Sequence, residues 1–272
     1  MVGEELELSN SNVCISKNQR MHARSDLKMV LAIDGSAINA STTNAASISA
    51  SLTTTQANDV IVVAFMGEMN TNAACPTISQ ISSTHLPSTA WSKRSQIQMA
   101  GEGGTTSGNI DVEVWWAVAS SALSSESITV TLTGTCNDDM ALVIFGVSGA
   151  NTSSPWDSNS SLPAYNTNAS STSKNIASTT FSTSNANDIL LSIQGVEVGA
   201  GATPSGYTEV NTANNSGGTY GAIIYVAEDI VTATQSSVSQ STTESTDWWG
   251  VIADAIQQAP VPPLTFATHW LW

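Results

Sequence analysis

The chain has 272 residues, 41% of them apolar and only 11% charged, with 22 acidic side chains against seven basic ones and a formal net charge of −15. Apolar content near the globular norm means that a core forms. Four of the seven basic residues (Lys17, Arg20, Arg24 and Lys28) fall within the first 28 positions, so no basic face is left for nucleic acid or an anionic membrane surface.

Residues 1–28 read as a flexible arm, set apart by those basic residues and by a lack of alternation. They do not read as a signal peptide, and no apolar run approaches the ~20 residues that cross a bilayer, so no membrane insertion is expected. From Met29 the pattern becomes strand-like. Leu52-Thr-Thr-Thr-Gln-Ala-Asn-Asp59 leads into Val60-Ile-Val-Val63, and the short side chains of Asn58 and Asp59 favour a turn by bonding their own backbone. A branched aliphatic run this short, flanked by turn residues, predicts a strand buried on both faces. Gly101–Gly108 marks a loop, Val112–Ala119 a strand, and Ala117–Leu123 a short helical turn or a loop. Ser127–Thr133 alternates strictly, turning Ile128, Val130 and Leu132 inward and the hydroxyls to water.

Phe181-Ser-Thr-Ser-Asn-Ala-Asn-Asp188, followed by Ile189-Leu-Leu191, repeats the segment at 52–63. Ala222–Ala227 matches Val112–Ala119 in character, and Asp247-Trp-Trp-Gly-Val251 matches Val143-Ile-Phe-Gly-Val147. Three matches in one order point to an internal duplication. The expected fold is all-β: two tandem related β-sandwich lobes, of jelly-roll or immunoglobulin-like type, at 29–155 and 156–258, with Trp156 plugging the junction. Residues 259–272 read as a Pro-rich linker and an apolar tail. The tail either docks on its own lobe or adds a strand to a neighbour, with Phe266, Trp270 and Trp272 as the assembly residues.

Candidate chemistry is sparse. Of three histidines only His85 lies outside the arm and the tail, and Gly146-Val-Ser-Gly149 is not a nucleophile elbow, so a serine triad is not expected. Asp111 and Glu113 are two apart on one strand and point the same way, as a glycosidase pair would, although a solvent-facing pair on an outer face is the simpler reading. Asp138 and Asp139, with Asp157 and Asn159, are the candidate oxygen ligands for calcium, the one cofactor entertained. Cys75 and Cys136 either pair or stay free thiols, and Cys14 makes the count odd. Trp115-Trp116 and Trp248-Trp249 each send one ring inward and one outward. The outward ring packs under loops, the other half or another subunit, or serves as a sugar platform.

Phe145-Gly-Val-Ser-Gly-Ala-Asn-Thr-Ser-Ser-Pro-Trp-Asp157 resembles a segment recurring in uncharacterised duplicated β-sandwich proteins of phages, prophages and environmental bacteria. The resemblance extends to Asp34-Gly-Ser36, to Leu52–Val63, to Glu113-Val-Trp-Trp-Ala117 and to Trp248–Ala255, and so covers most of 29–256. It implies a phage-like or surface-exposed setting and supplies no catalytic residues. The expected function is therefore that of a non-enzymatic virion or extracellular structural protein: a head decoration, fibre or tail component in a homo-oligomeric assembly, able to contact host glycans. The alternatives are a carbohydrate-binding module using exposed Trp, and a filament subunit assembling through its C-terminal strand.

Overall fold

A computed structural model of the chain describes residues 30–42, 44–69, 73–100, 109–168, 175–197, 199, 201–215, 221–243 and 248–260. The arm at 1–28, Cys14, the loop at 101–108 and the tail residues Phe266, Trp270 and Trp272 lie outside these. Among the described residues the chain forms fifteen strands and one short 3-10 turn. The first eight strands are β1 (Ala32–Ser41), β2 (Ala45–Leu52), β3 (Asp59–Glu68), β4 (Ile78–Ser82), β5 (Ser92–Met99), β6 (Ile110–Ala119), β7 (Glu126–Cys136) and β8 (Met140–Ser148). The other seven are β9 (Ala164–Asn168), β10 (Asn175–Phe181), β11 (Asp188–Val196), β12 (Thr208–Asn214), β13 (Ile223–Val231), β14 (Val238–Thr243) and β15 (Trp249–Gln257).

The fold is all-β, and its pairing is nested. β1 pairs with β8, β2 with β7 and β3 with β6, giving a sheet β1-β8-β3-β6-β5 opposite a sheet β2-β7-β4. Alternation between two sheets with nested pairs is the connection of a jelly roll. The later strands pair in the same scheme: β12-β13-β11-β15-β9 faces β10-β14. Asn58-Asp59 and Asn187-Asp188 thus stand at the starts of the two central strands, β3 and β11. The third sequence match falls on corresponding strands, β8 and β15, but in a different register. Gly146 pairs with Ile61, and the matching position opposite Leu190 is Ala255, not Gly250. A shared Gly-Val dipeptide set that alignment, whereas hydrogen bonding to the central strand sets the real one.

The two five-stranded sheets pack face to face, with β1 against β12, β8 and β3 against β13, and β5 against β9 and β15. Val60, Val62, Ala64 and Met66 of β3 meet Ile189, Leu191 and Ile193 of β11 in one apolar core between the lobes. Ile61, Val63 and Phe65 point the other way, onto β2-β7-β4. The order is four layers of sheet, so the two inner sheets have no solvent face. This is why every residue of β3 and of β11 is buried. β7, in an outer layer, keeps the alternation its sequence predicts, with Ile128, Val130 and Leu132 inward. Ala117–Ala119, read as part of a helical turn or loop, completes β6 instead, because the apolar pattern there continues one buried strand. Ala213 and Asn214, at the head of the Asn-, Ser- and Gly-rich stretch 213–218 whose composition suggests a loop, end β12. Close approach of the inner sheets requires a glycine at one point: a Cβ on Gly195 would lie 2.4 Å from Val112 Cγ2 and 3.3 Å from Met66 Sδ.

Polar ties reinforce the apolar contact between lobes. Arg94 of β5 donates to both oxygens of Asp254 on β15, at 2.7 and 2.9 Å, and its guanidinium lies 4.9 Å from the centre of the Trp156 ring. Trp156 is 7% exposed and bridges to Ile256. Asn211 donates to Ser36, and Asn215 to Asp139.

Candidate functional site

Two carboxyl pairs occupy corresponding places in the two lobes. In the first, Gly35 turns the chain with φ +83° directly after Asp34, and a Cβ there would strike the Thr53 carbonyl at 2.2 Å. The bend places Asp34 under the turn before β3. Asp34 Oδ2 accepts from the N–H groups of Thr55 (2.8 Å) and Gln56 (2.7 Å), and Oδ1 accepts from the Thr55 hydroxyl (2.9 Å). Asp59 lies against it, 0% exposed, with the Thr54 hydroxyl as its other polar neighbour. A fully buried carboxylate with so few donors is costly to keep ionised. Burial therefore favours its protonated form, in which it can donate to Asp34. Burial, then Asp34, pushes Asp59 up to about 7. Burial works to raise Asp34 too, but bonds from Gln56, Thr55 and Asp59 outweigh it and hold Asp34 below the usual range.

The second pair repeats this arrangement. Asp157 accepts from the N–H groups of Asn159 (2.7 Å), Ser184 (2.8 Å) and Asn185 (2.9 Å), and from Asn185 Nδ2 (2.8 Å). Asp188, 0% exposed with the Thr183 hydroxyl beside it, is pushed up to about 7 by burial and by Asp157. Asp157 is held low because bonds from Asn159, Asn185 and Ser184 outweigh its burial. The sequence signal was present in the repeated Ala-Asn-Asp, where Asp59 and Asp188 read only as turn formers.

Asp111 and Glu113 are not on an outer face. Both are 0% exposed, because β6 belongs to an inner sheet. Glu113 Oε1 accepts the Ile78 N–H at 2.7 Å, and Oε2 accepts from Trp115 Nε1 and Lys93 Nζ, each at 2.7 Å. Lys93 also donates to Gln96, whose amide donates to Asp111. Burial, then Glu113, pushes Asp111 up to about 8. These contacts tie β4, β5 and β6 together.

Of the four candidate Trp rings, three are half-buried against the cores and one is fully buried. Trp115 packs toward β2-β7-β4 with Lys93 over its face at 5.4 Å, and Trp116 and Trp248 pack against the core between the lobes. Trp249 is 2% exposed among Val196, Ile223 and Val251. Asp138 and Asp139 stand at the far end of that inter-lobe core, near Glu68 and Glu197, which are 0% exposed and interact with each other. Burial first, then Glu197, raises Glu68, which accepts the Gly221 N–H at 3.2 Å. Among the described residues, no three His, Cys, Asp or Glu side chains converge as a metal would require. Cys75 and Cys136 are buried free thiols. Cys136 donates to the Glu68 carbonyl at 2.9 Å, and Cys75 lies over Gly67. His85 pairs with Glu126 at 2.7 Å, and the bonds from His85 outweigh burial and hold Glu126 down at about 2.

An open groove of about 350 Å³ lies beside Asp34, lined by Val30, Ile33, Thr55, Gln56 and Gly149 among others. Compared with protein-family models, curated proteins and solved structures, the chain matches none.

Proposed function

We propose that this chain is a non-enzymatic structural component of a virion or an extracellular surface, a decoration, fibre or tail module built from duplicated sandwich lobes. One observation carries the reading: the side chains that bear chemistry are spent on holding layers together. Asp34 and Asp157 are saturated by backbone donors, Glu113 by Ile78, Trp115 and Lys93, and Asp254 by Arg94. Such groups hold strands together, which supports a structural role.

Three further features support it. The outward residues of β7, such as Ser127, Thr129 and Thr131, give an uncharged hydroxyl face. Nested pairing of this kind recurs in capsid and lectin domains, a fold-level analogy. The Val30 carbonyl lies against Gly149, and Ala259 N–H donates to the Gly149 carbonyl at 2.8 Å. Val30 and Ala259 therefore lie at one corner of the sandwich, as suits a module fastened at that corner with the rest displayed. The resemblance to phage and environmental sandwich proteins points the same way.

Light scattering on the full chain and immuno-electron microscopy of the producing cells and their particles test this reading. A defined oligomer, with label on particles or on the cell surface, is expected. A monomer confined to the cell interior overturns it.

A further inference from the structure

We propose that the two carboxyl pairs, Asp34 with Asp59 and Asp157 with Asp188, are proton-operated fasteners, each pinning the segment that leads into a lobe to the turn before that lobe's central strand. Loss of the shared proton loosens both places while the sheets stay formed. The placement carries this. Asp34 sits at the start of β1 and holds Thr55 and Gln56; Asp157 sits on the connection between lobes and holds Ser184 and Asn185. In each pair the anchoring carboxylate is cradled by N–H groups, and the facing carboxyl, fully buried, meets that carboxylate with one threonine side chain, Thr54 or Thr183, beside it. Only a protonated Asp59 or Asp188 closes the contact, because two ionised carboxylates in hydrogen-bonding contact repel in a low dielectric.

The surroundings do not buffer that charge in the first lobe. Asp59 faces Asp34, the Thr54 side chain and Gly146 of β8, where a Cβ would lie 3.4 Å from Asp59 Oδ2. Asp188 faces Asp157 and the Thr183 side chain. Asp157 also feels Asp254, which is itself paired with Arg94 of β5. The position of each pair decides what opens: the corner at Val30 and Gly149, and the connection at 149–157.

Hydrogen exchange of the full chain, corrected for the intrinsic pH dependence of amide exchange, tests the fasteners at about pH 5.5 and about pH 8.5. Amides at 33–36, 53–58, 155–159 and 182–187 should lose protection at least tenfold at the higher pH, while those of β3, β8, β11 and β15 hold. The double variant Asp59→Asn with Asp188→Asn keeps a permanent N–H donor in each pair and should abolish that loss. Protection that does not change with pH in the natural chain, or a loss that persists in the double variant, overturns the proposal. Should the double variant fail to fold, carboxyl NMR titration of the natural chain with Asp59 and Asp188 assigned decides: both titrating near neutral pH is expected, and either titrating below about pH 5 refutes it.

Discussion

Replacing Gly195 with alanine tests the face-to-face packing of the lobes directly. The new methyl would sit 2.4 Å from Val112 Cγ2 and 3.3 Å from Met66 Sδ, where carbon atoms settle at ~3.5–4.0 Å. Two inner sheets would have to part by roughly an ångström, or Val112 leave its rotamer. Overpacking of this kind costs ~1–3 kcal/mol. Replacing a strand glycine recovers ~0.5–1 kcal/mol of chain entropy, so a net loss of about 1–2 kcal/mol is expected. Denaturant unfolding monitored by tryptophan fluorescence measures it. The partner variant Val112→Ala removes the colliding methyl, so the double variant should be more stable than the sum of the singles by about 1 kcal/mol. A neutral Gly195→Ala, or strict additivity with Val112→Ala, would show that β11 and β6 do not meet and that the four-layer arrangement is wrong.

Stability should depend on pH in the direction opposite to that of most proteins. Asp59 and Asp188 are raised from 3.8 to about 7, so their contribution is fully present below pH ~4 and is lost as pH rises to about 7. At ~1.4 kcal/mol per pH unit, each pair accounts for an upper bound on the order of 4 kcal/mol. Asp34 and Asp157, held low, contribute above the ordinary carboxylate range and lose that contribution in stronger acid. Thermal unfolding from about pH 3 to about pH 9 should therefore peak near pH 4–5; a maximum at about pH 7–8 would refute this assignment. Arg94→Ala strands Asp254, whose side chain is 1% exposed, and should cost ~3–5 kcal/mol near neutral pH. The loss should shrink when measured at about pH 4, because burial raises Asp254 and favours its protonated form once Arg94 is gone. An equal loss at both pH values would count against the buried ion pair.

How much could be read beforehand depends on the range of each interaction. Strands β3, β7 and β11 were legible because alternation and branched aliphatic runs are local. The run Val60–Val63 even implied cover on both faces, though not what supplied it. Asp111 and Glu113 were misplaced for that reason: period two says that they share a face, and only the second lobe decides that no inner-sheet face meets water. The match between β8 and β15 found the right strands in the wrong register, since a Gly-Val dipeptide carries less information than pairing to the central strand.

The sequence by itself determined the all-β class, the turns at Asn58-Asp59 and Asn187-Asp188, and the alternating outer strand, all of which depend on neighbours a few residues apart. Tertiary structure alone decided the nested order of strands, the four layers, the Arg94–Asp254 tie and the two shared-proton pairs. Those join groups up to 160 residues apart, and their geometry exists only once the sheets have stacked and water has been excluded from between them.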